Sequence, residues 1–321
     1  MMYLNRKAIS VLGALVLMGC SSGFLGLAPL GDRKEYVQAR EAYEAGNYQA
    51  AVTQLRDYIY KTKNVTRREA RAYRLLGKSY EQLGQPGRAL EVYSEALEFH
   101  PDNVPLLLAA GQLYQQNGLT TRSIEMYERA LQEEPENTEA LAGQAANYST
   151  LGFYSKARAF YNQFFALAQQ VAPIYRARYA DTFLRQRDYE QAFIHITLAL
   201  EQDPTNADFW RVSAQAHRGL KQHQQALDDL DMALSLAPER NDFWAQKALW
   251  LYESDQTEAS LKTAAEILKR RPDNELARLV QALNWQKQGN TKAARNQFTH
   301  LAQTEESTSF VGQVAKKLAN R

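Results

Sequence analysis

ARAYRLLGKSYEQLGQPGRALEVYSEALEFHPDN, residues 70–103, decides the fold of this chain. Tyr73, Leu76, Gly77 and Tyr80 stand at i, i+3, i+4 and i+7, one face of a helix. Gly84 permits a turn, and Ala89, Tyr93 and Ala96 form the inner stripe of a second helix. Gly77 and Ala89 are small, so the two helices approach closely. Pro101 ends the second helix and begins the next link.

Outward from this stretch the same unit recurs. Small residues fall on a near-constant beat at Ala39, Gly77, Gly111, Ala145, Ala180, Ala214, Ala248 and Ala282, with steps of 38, 34, 34, 35, 34, 34 and 34. A second ladder, Ala51, Ala89, Ser123, Ala157, Ala192, Ala226, Ser260 and Ala294, has identical steps. A 34-residue period with small residues at two fixed phases predicts an all-α chain, helix pairs stacked into a solenoid. The length of 321 residues would otherwise suggest about two globular domains, but an array grows along one axis without a single core.

The unit resembles the tetratricopeptide pattern, in which an aromatic, Leu-Gly, Tyr, Gly, Ala, an aromatic, Ala and Pro recur at fixed spacing. The resemblance implies an α-solenoid of eight helix pairs over 32–308: repeats 32–65, 70–103, 104–137, 138–171, 173–206, 207–240, 241–274 and 275–308. Four extra residues near Thr66 to Glu69 and one near Ala172 fall at repeat junctions, where they lengthen a loop without disturbing a helix. Residues 309–321 carry Phe310, Val311, Val314, Ala315 and Leu318 at helical spacing behind Ser309, and are expected to seal the end of the stack as a capping helix.

The first residues read as targeting, not structure. Arg6 and Lys7 precede an apolar run too short to span a bilayer, which ends in Leu17-Met18-Gly19-Cys20. This resembles a bacterial lipobox. It implies a signal peptide over 1–19, a covalent lipid on Cys20 and a tether over 20–31. Several acyl chains anchor firmly, at about 0.8 kcal/mol per buried methylene. Ser21 after the cysteine resembles lipoproteins sorted to the outer membrane, on its periplasmic face. The alternative is an ordinary secretory signal in which Cys20 is incidental. As the sole cysteine, Cys20 leaves no intrachain disulfide and no cysteine metal site.

Charge and chemistry narrow the function. Without Arg6 and Lys7 the 38 basic residues become 36, equal to the 36 acidic ones, so nucleic acid is not expected as a partner. His100, His195, His217, His223 and His300 show no metal-ligand spacing. His217 stands where Tyr80 and Tyr114 stand in other repeats and reads as a packed core histidine. Asp228, Asp229 and Asp231 read as outward-facing and lack the loop glycine of a calcium site. No phosphate loop or nucleophile elbow occurs. Neither a cofactor nor catalysis is expected.

Two surfaces stand out. In the family, helix-A positions 2, 5, 6, 9, 12 and 13 line the concave face. In the first two repeats these include Arg33, Arg40, Arg71, Arg74 and Lys78, a basic patch suited to an acidic peptide. A solvated helix face, or one facing anionic lipid, is the alternative. Arg74 and Lys78 match two positions of the carboxylate clamp found in some family members, but Gln112, Glu139 and Gly143 replace the rest. At the far end Leu249, Tyr252, Leu276, Leu279, Val280 and Leu283 occupy concave positions, while Arg278 and Gln281 sit where the template is apolar. Either the eighth repeat's first helix is rotated and these residues are core, or the groove there receives an amphipathic helix from a partner or a second copy. The expected function is a non-enzymatic outer-membrane scaffold for other envelope proteins. It resembles lipoproteins of type IV or Flp pilus and secretin assembly. Exopolysaccharide export, or an adaptor for peptidoglycan enzymes or proteases, is the alternative.

Overall fold

All sixteen small residues of the two ladders are buried in the computed structural model, which describes residues 34–60, 69–303 and 309–319. The reason is steric. A Cβ added at Gly77 would lie 2.2 Å from the Tyr93 ring, and one at Gly111 would lie 2.9 Å from Tyr127. Gly77 and Gly111 thus each make room for an aromatic ring from the partner helix, and enlarging either would force the pair apart.

Among the described residues there are seventeen helices, and the first sixteen form eight hairpins. They are α1 (Lys34–Glu44), α2 (Tyr48–Tyr60), α3 (Ala70–Gln82), α4 (Pro86–Phe99), α5 (Val104–Gln116) and α6 (Thr120–Glu133). Then follow α7 (Thr138–Thr150), α8 (Tyr154–Leu167), α9 (Pro173–Arg185), α10 (Tyr189–Gln202), α11 (Ala207–Gly219) and α12 (His223–Leu236). The last are α13 (Asn241–Glu253), α14 (Thr257–Arg270), α15 (Glu275–Lys287), α16 (Thr291–Ala302) and α17 (Phe310–Ala319). Each helix packs on the next, and odd-numbered helices also touch one another, as α5 touches α7 and α13 touches α15. The odd helices therefore make an inner row and the even helices an outer one.

The hairpin turns share one device. The residue at the same phase of every repeat has positive φ: Gly46, Gly84, Gly118, Gly152 and Gly289, but also Arg187, Lys221 and Asp255. Glycine enters this left-handed region freely, whereas a side chain there costs about 1–2 kcal/mol. Repeats five to seven carry that cost three times in succession.

Junctions between repeats are also built alike. Asn103, Asn137 and Asn274 cap α5, α7 and α15, their side chains accepting from backbone N–H groups at 3.1, 3.0 and 2.8 Å. Trp210 Nε1 donates to the Pro204 carbonyl at 2.8 Å, and Trp244 Nε1 to that of Pro238 at 3.0 Å. Arg278 Nε makes the same bond to the Pro272 carbonyl at 2.7 Å. This explains an arginine at a template position that is normally apolar: it replaces the indole donor, and α15 needs no rotation.

The core is not uniform along the stack. From Tyr36 to Ala140 the buried side chains form one connected cluster. Beyond it they divide into smaller ones. At the far end Ser309 caps α17, its hydroxyl oxygen accepting from Gly312 N at 3.0 Å. Val311, Val314, Ala315 and Leu318 close over α15 and α16, while Phe310 is 75% exposed and stands outside the stripe expected to include it.

Candidate functional site: the concave groove

The inner row presents the positions from which both expected patches were read. Cys20 and Arg33 lie outside the described residues. Arg40 pairs with Glu44 one turn on, at 3.7 Å. Arg71 Nε bonds Glu69 at 2.7 Å, and its guanidinium lies 4.7 Å from the centre of the Tyr36 ring. Glu69 also accepts from the Tyr58 hydroxyl at 2.9 Å. Arg71 therefore ties α1 and α2 to the start of α3. Arg74 and Lys78 are exposed on α3. Glu81 accepts from the Tyr93 hydroxyl, whose pKa is pushed up first by burial and then by this bond. The basic patch in the structure is thus Arg74 and Lys78, with Arg40 and Arg71 already engaged.

The far patch is corrected. Leu279 is 3% exposed and Val280 0%, so both are core and neither lines a groove. Leu279 packs with Phe298, Leu301 and Ala315, and Val280 with Ala245, Ala248 and Ile267. Leu249, Tyr252, Leu276 and Leu283 are half-buried against the same clusters. The reasons differ: Val280 is covered by α13 and α14 of the seventh repeat, and Leu279 by α16 and the terminal α17.

A second correction concerns Asp229. It is buried rather than outward-facing, and lies 2.7 Å from Nδ1 of His217. His217 also packs on Phe193, with ring centres 4.5 Å apart. Among the described residues no group of three His, Cys, Asp or Glu is placed to hold a metal ion. No described helix is long and apolar enough to cross a membrane.

The most developed concave surface lies in the middle of the array. Three abutting cavities form a trough from α5 to α13. The first, of about 820 Å3, has Gln112, Gln115 and Gln116 on one wall and Arg178 on the other. The second, of about 580 Å3, shares Gln115, Gln116, Ile174 and Arg178, and has Tyr161 among its lining residues. The third, of about 590 Å3, shares Asp181 and Arg185 and runs on to Arg218 and Trp250. Asp181 pairs with Arg185 at 3.4 Å and Asp208 with Arg211 at 3.6 Å. Glu253 bonds Arg218, whose guanidinium lies 4.9 Å from the Trp250 ring centre. The helix-position rule reaches Arg178, Asp181, Arg185 and Arg211 as readily as Arg74. The centre, where cations alternate with Asp181 and Asp208, does not stand out in the sequence as the two end patches do.

A tetratricopeptide repeat family model matches residues 36–104, 108–164 and 180–241, more than half of the chain. The chain belongs to the tetratricopeptide repeat family. No curated protein matches it by sequence. Among solved structures it is similar to a tetratricopeptide repeat protein from Parabacteroides merdae ATCC 43184, with 17% identity, TM-score 0.60 and coverage of 78% of this chain and 97% of that one. It is also similar to PilW, a widely conserved type IV pilus biogenesis factor, at 15% identity, TM-score 0.62 and coverage of 68% and 99%. Pseudomonas aeruginosa pilF aligns at 16% identity, TM-score 0.56 and coverage of 66% and 96%. At these identities the likeness is one of fold.

Proposed function

We propose that this chain is a scaffold, lipidated at Cys20 and held on the periplasmic face of an outer membrane, whose concave face binds segments of other envelope proteins. The observation that carries the scaffold reading is the continuous trough from α5 to α13, with alternating cationic, acidic and amide side chains and no catalytic grouping among its described residues. Such a surface suits recognition of a chain segment: amides bond a peptide backbone, and guanidiniums bond carboxylates. Membership of a repeat family that stacks helices into concave surfaces supports it. Leu17-Met18-Gly19-Cys20 supports the anchor. The machine served is assembly of a type IV or Flp-type pilus or its secretin; the likeness in fold to PilW and pilF supports this.

The anchor and the scaffold are tested together. Wild-type chain partitions with membranes and, after crosslinking, captures secretin or pilus components. Cys20→Ser releases it from the membrane. Unchanged membrane partitioning of Cys20→Ser removes the lipid anchor. Capture of polysaccharide-export proteins or murein hydrolases instead assigns the scaffold to another machine, and absence of any specific capture overturns it.

A further inference from the structure

The central cavity holds a feature that packing does not explain. Tyr161, on α8, is fully buried, yet its hydroxyl has no hydrogen-bond partner among the described residues. Its ring is supported from behind by Phe165 and Tyr179, with centres 6.1 and 5.4 Å away. Tyr161 lines the second cavity together with Arg178 and Asp181. Of the buried polar atoms lacking partners among the described residues, only this one belongs to a residue lining the three cavities. A buried donor left unmade costs about 1–3 kcal/mol, and an acceptor entering the cavity recovers it.

The charges around it do not cancel. Asp181 and Asp208 are each matched within their own helices by Arg185 and Arg211. Arg178 is exposed and has no ion-pair partner among the described residues, so it is the net charge of the second cavity, while Glu139 lines the abutting first cavity with it. Ile174, one turn before it, is 39% exposed on the same wall. Gln115 and Gln116 face them across the trough. Cavities continue on both sides, so no wall requires a chain end to sit here.

We propose that this cavity seats an aspartate or glutamate side chain of an extended partner segment that passes through the trough, the carboxylate paired with Arg178 and bonded by the Tyr161 hydroxyl. The inference rests on the reading of the trough as the partner-binding surface. Ile174 takes an apolar side chain next to the acid, and the exposed Gln112 and Gln116 of α5 bond the segment's backbone. Five inner helices at roughly 9 Å spacing give a trough of roughly 35 Å, which about ten extended residues fill.

The test uses a phage-displayed library of random peptides of roughly twelve residues, selected against the full chain carrying Cys20→Ser in detergent. Selected peptides are synthesised and their Kd measured by fluorescence anisotropy. The expected peptides carry an Asp or Glu. Arg178→Gln weakens them about tenfold or more, as does amidation of that acid in the peptide, and the two changes together cost no more than either alone. Tyr161→Phe weakens binding about fivefold while the thermal midpoint stays or rises, since a donor unpaired in the free protein is removed. A merely structural tyrosine would instead lose stability. Selected peptides without an acid, a Kd unchanged in Arg178→Gln, or no selected peptide at all overturns the inference. Crosslinked capture of envelope proteins judges the scaffold reading separately: capture that survives Arg178→Gln keeps the scaffold and removes this site.

Discussion

Asn147 Nδ2 donates to Ser123 Oγ at 2.8 Å, from one repeat back to the one before it, with both residues buried. Ser123 Oγ in turn donates to the Gly111 carbonyl at 2.7 Å, and Gln115 Nε2 donates to Asn147 Oδ1 at 2.8 Å. The motif recurs at Asn284 and Ser260, also 2.8 Å apart, with Ser260 donating to the Ala248 carbonyl at 2.7 Å. Both serines are the exceptions in a ladder that is otherwise alanine, and both have an asparagine 24 residues later. The polar pair thus replaces an apolar one as a unit.

Breaking the unit on one side is therefore costly. Ser123→Ala leaves the Asn147 amide without its acceptor, and urea unfolding is expected to show a loss of about 1–3 kcal/mol. Ser123→Ala combined with Asn147→Leu removes both polar partners and recovers most of that loss. A double variant as unstable as the sum of its single changes would refute the coupling.

The three left-handed side chains predict stabilisation by glycine. Lys221 has φ 63° and no hydrogen bond or ion pair among the described residues that its replacement would sacrifice. Lys221→Gly is expected to gain about 1 kcal/mol, somewhat offset by added freedom of the unfolded chain. A raised thermal midpoint is the expected reading. Gly118→Ala, at the same phase with φ 72°, should lower it.

His195 makes stability depend on pH. Burial, then Arg176, pushes its pKa below the ordinary imidazole value of 6.5. The ring stacks on Phe183 and lies 4.5 Å from Tyr179, centre to centre. The unfolded chain therefore binds the proton more readily than the folded one. This contribution is intact above the ordinary value and is lost as pH falls below it toward the lower folded pKa. Urea midpoints measured from pH 7.5 to 5.5 should fall in the wild type, and fall less in His195→Phe, by an amount fixed by the size of the shift. Identical slopes would remove His195 as the source.

The end of the array is tested at α15. Leu279→Ser puts a hydroxyl into the cluster with Phe298 and Ala315, and is expected to cost ~3 kcal/mol or more. Limited proteolysis should then cut first near α17. Arg278→Ala loses the bond to Pro272 and costs about 1 kcal/mol, whereas Arg278→Trp restores an indole donor and stays near wild type. Equal losses for Ala and Trp would argue against the shared latch.

What the sequence disclosed follows a physical dividing line. The ladders were legible because close helix approach admits only small residues, and Ala39 to Ala282 announce it by size alone. Turn glycines such as Gly84 were legible for another reason: the left-handed φ of the turn favours glycine. Arg187, Lys221 and Asp255 were not, because their side chains carry no sign of the φ they adopt. Asp229 was assigned to solvent from its place on one helix; its partner His217 comes from the other helix of the hairpin. Leu279 was ambiguous because α17, which ends the stack, covers it, and Val280 because its cover comes from α13 and α14 of the repeat before. The surroundings of the Tyr161 hydroxyl depend on α8 and α9 together, and no single-repeat template contains them.

The continuity of the core from Tyr36 to Ala140, and its division beyond, gives the array graded compliance. In the first three repeats every buried side chain is braced through its neighbours in one cluster. The later repeats are a chain of smaller clusters. Hydrogen exchange is expected to show the first three repeats opening together and the later ones in smaller steps.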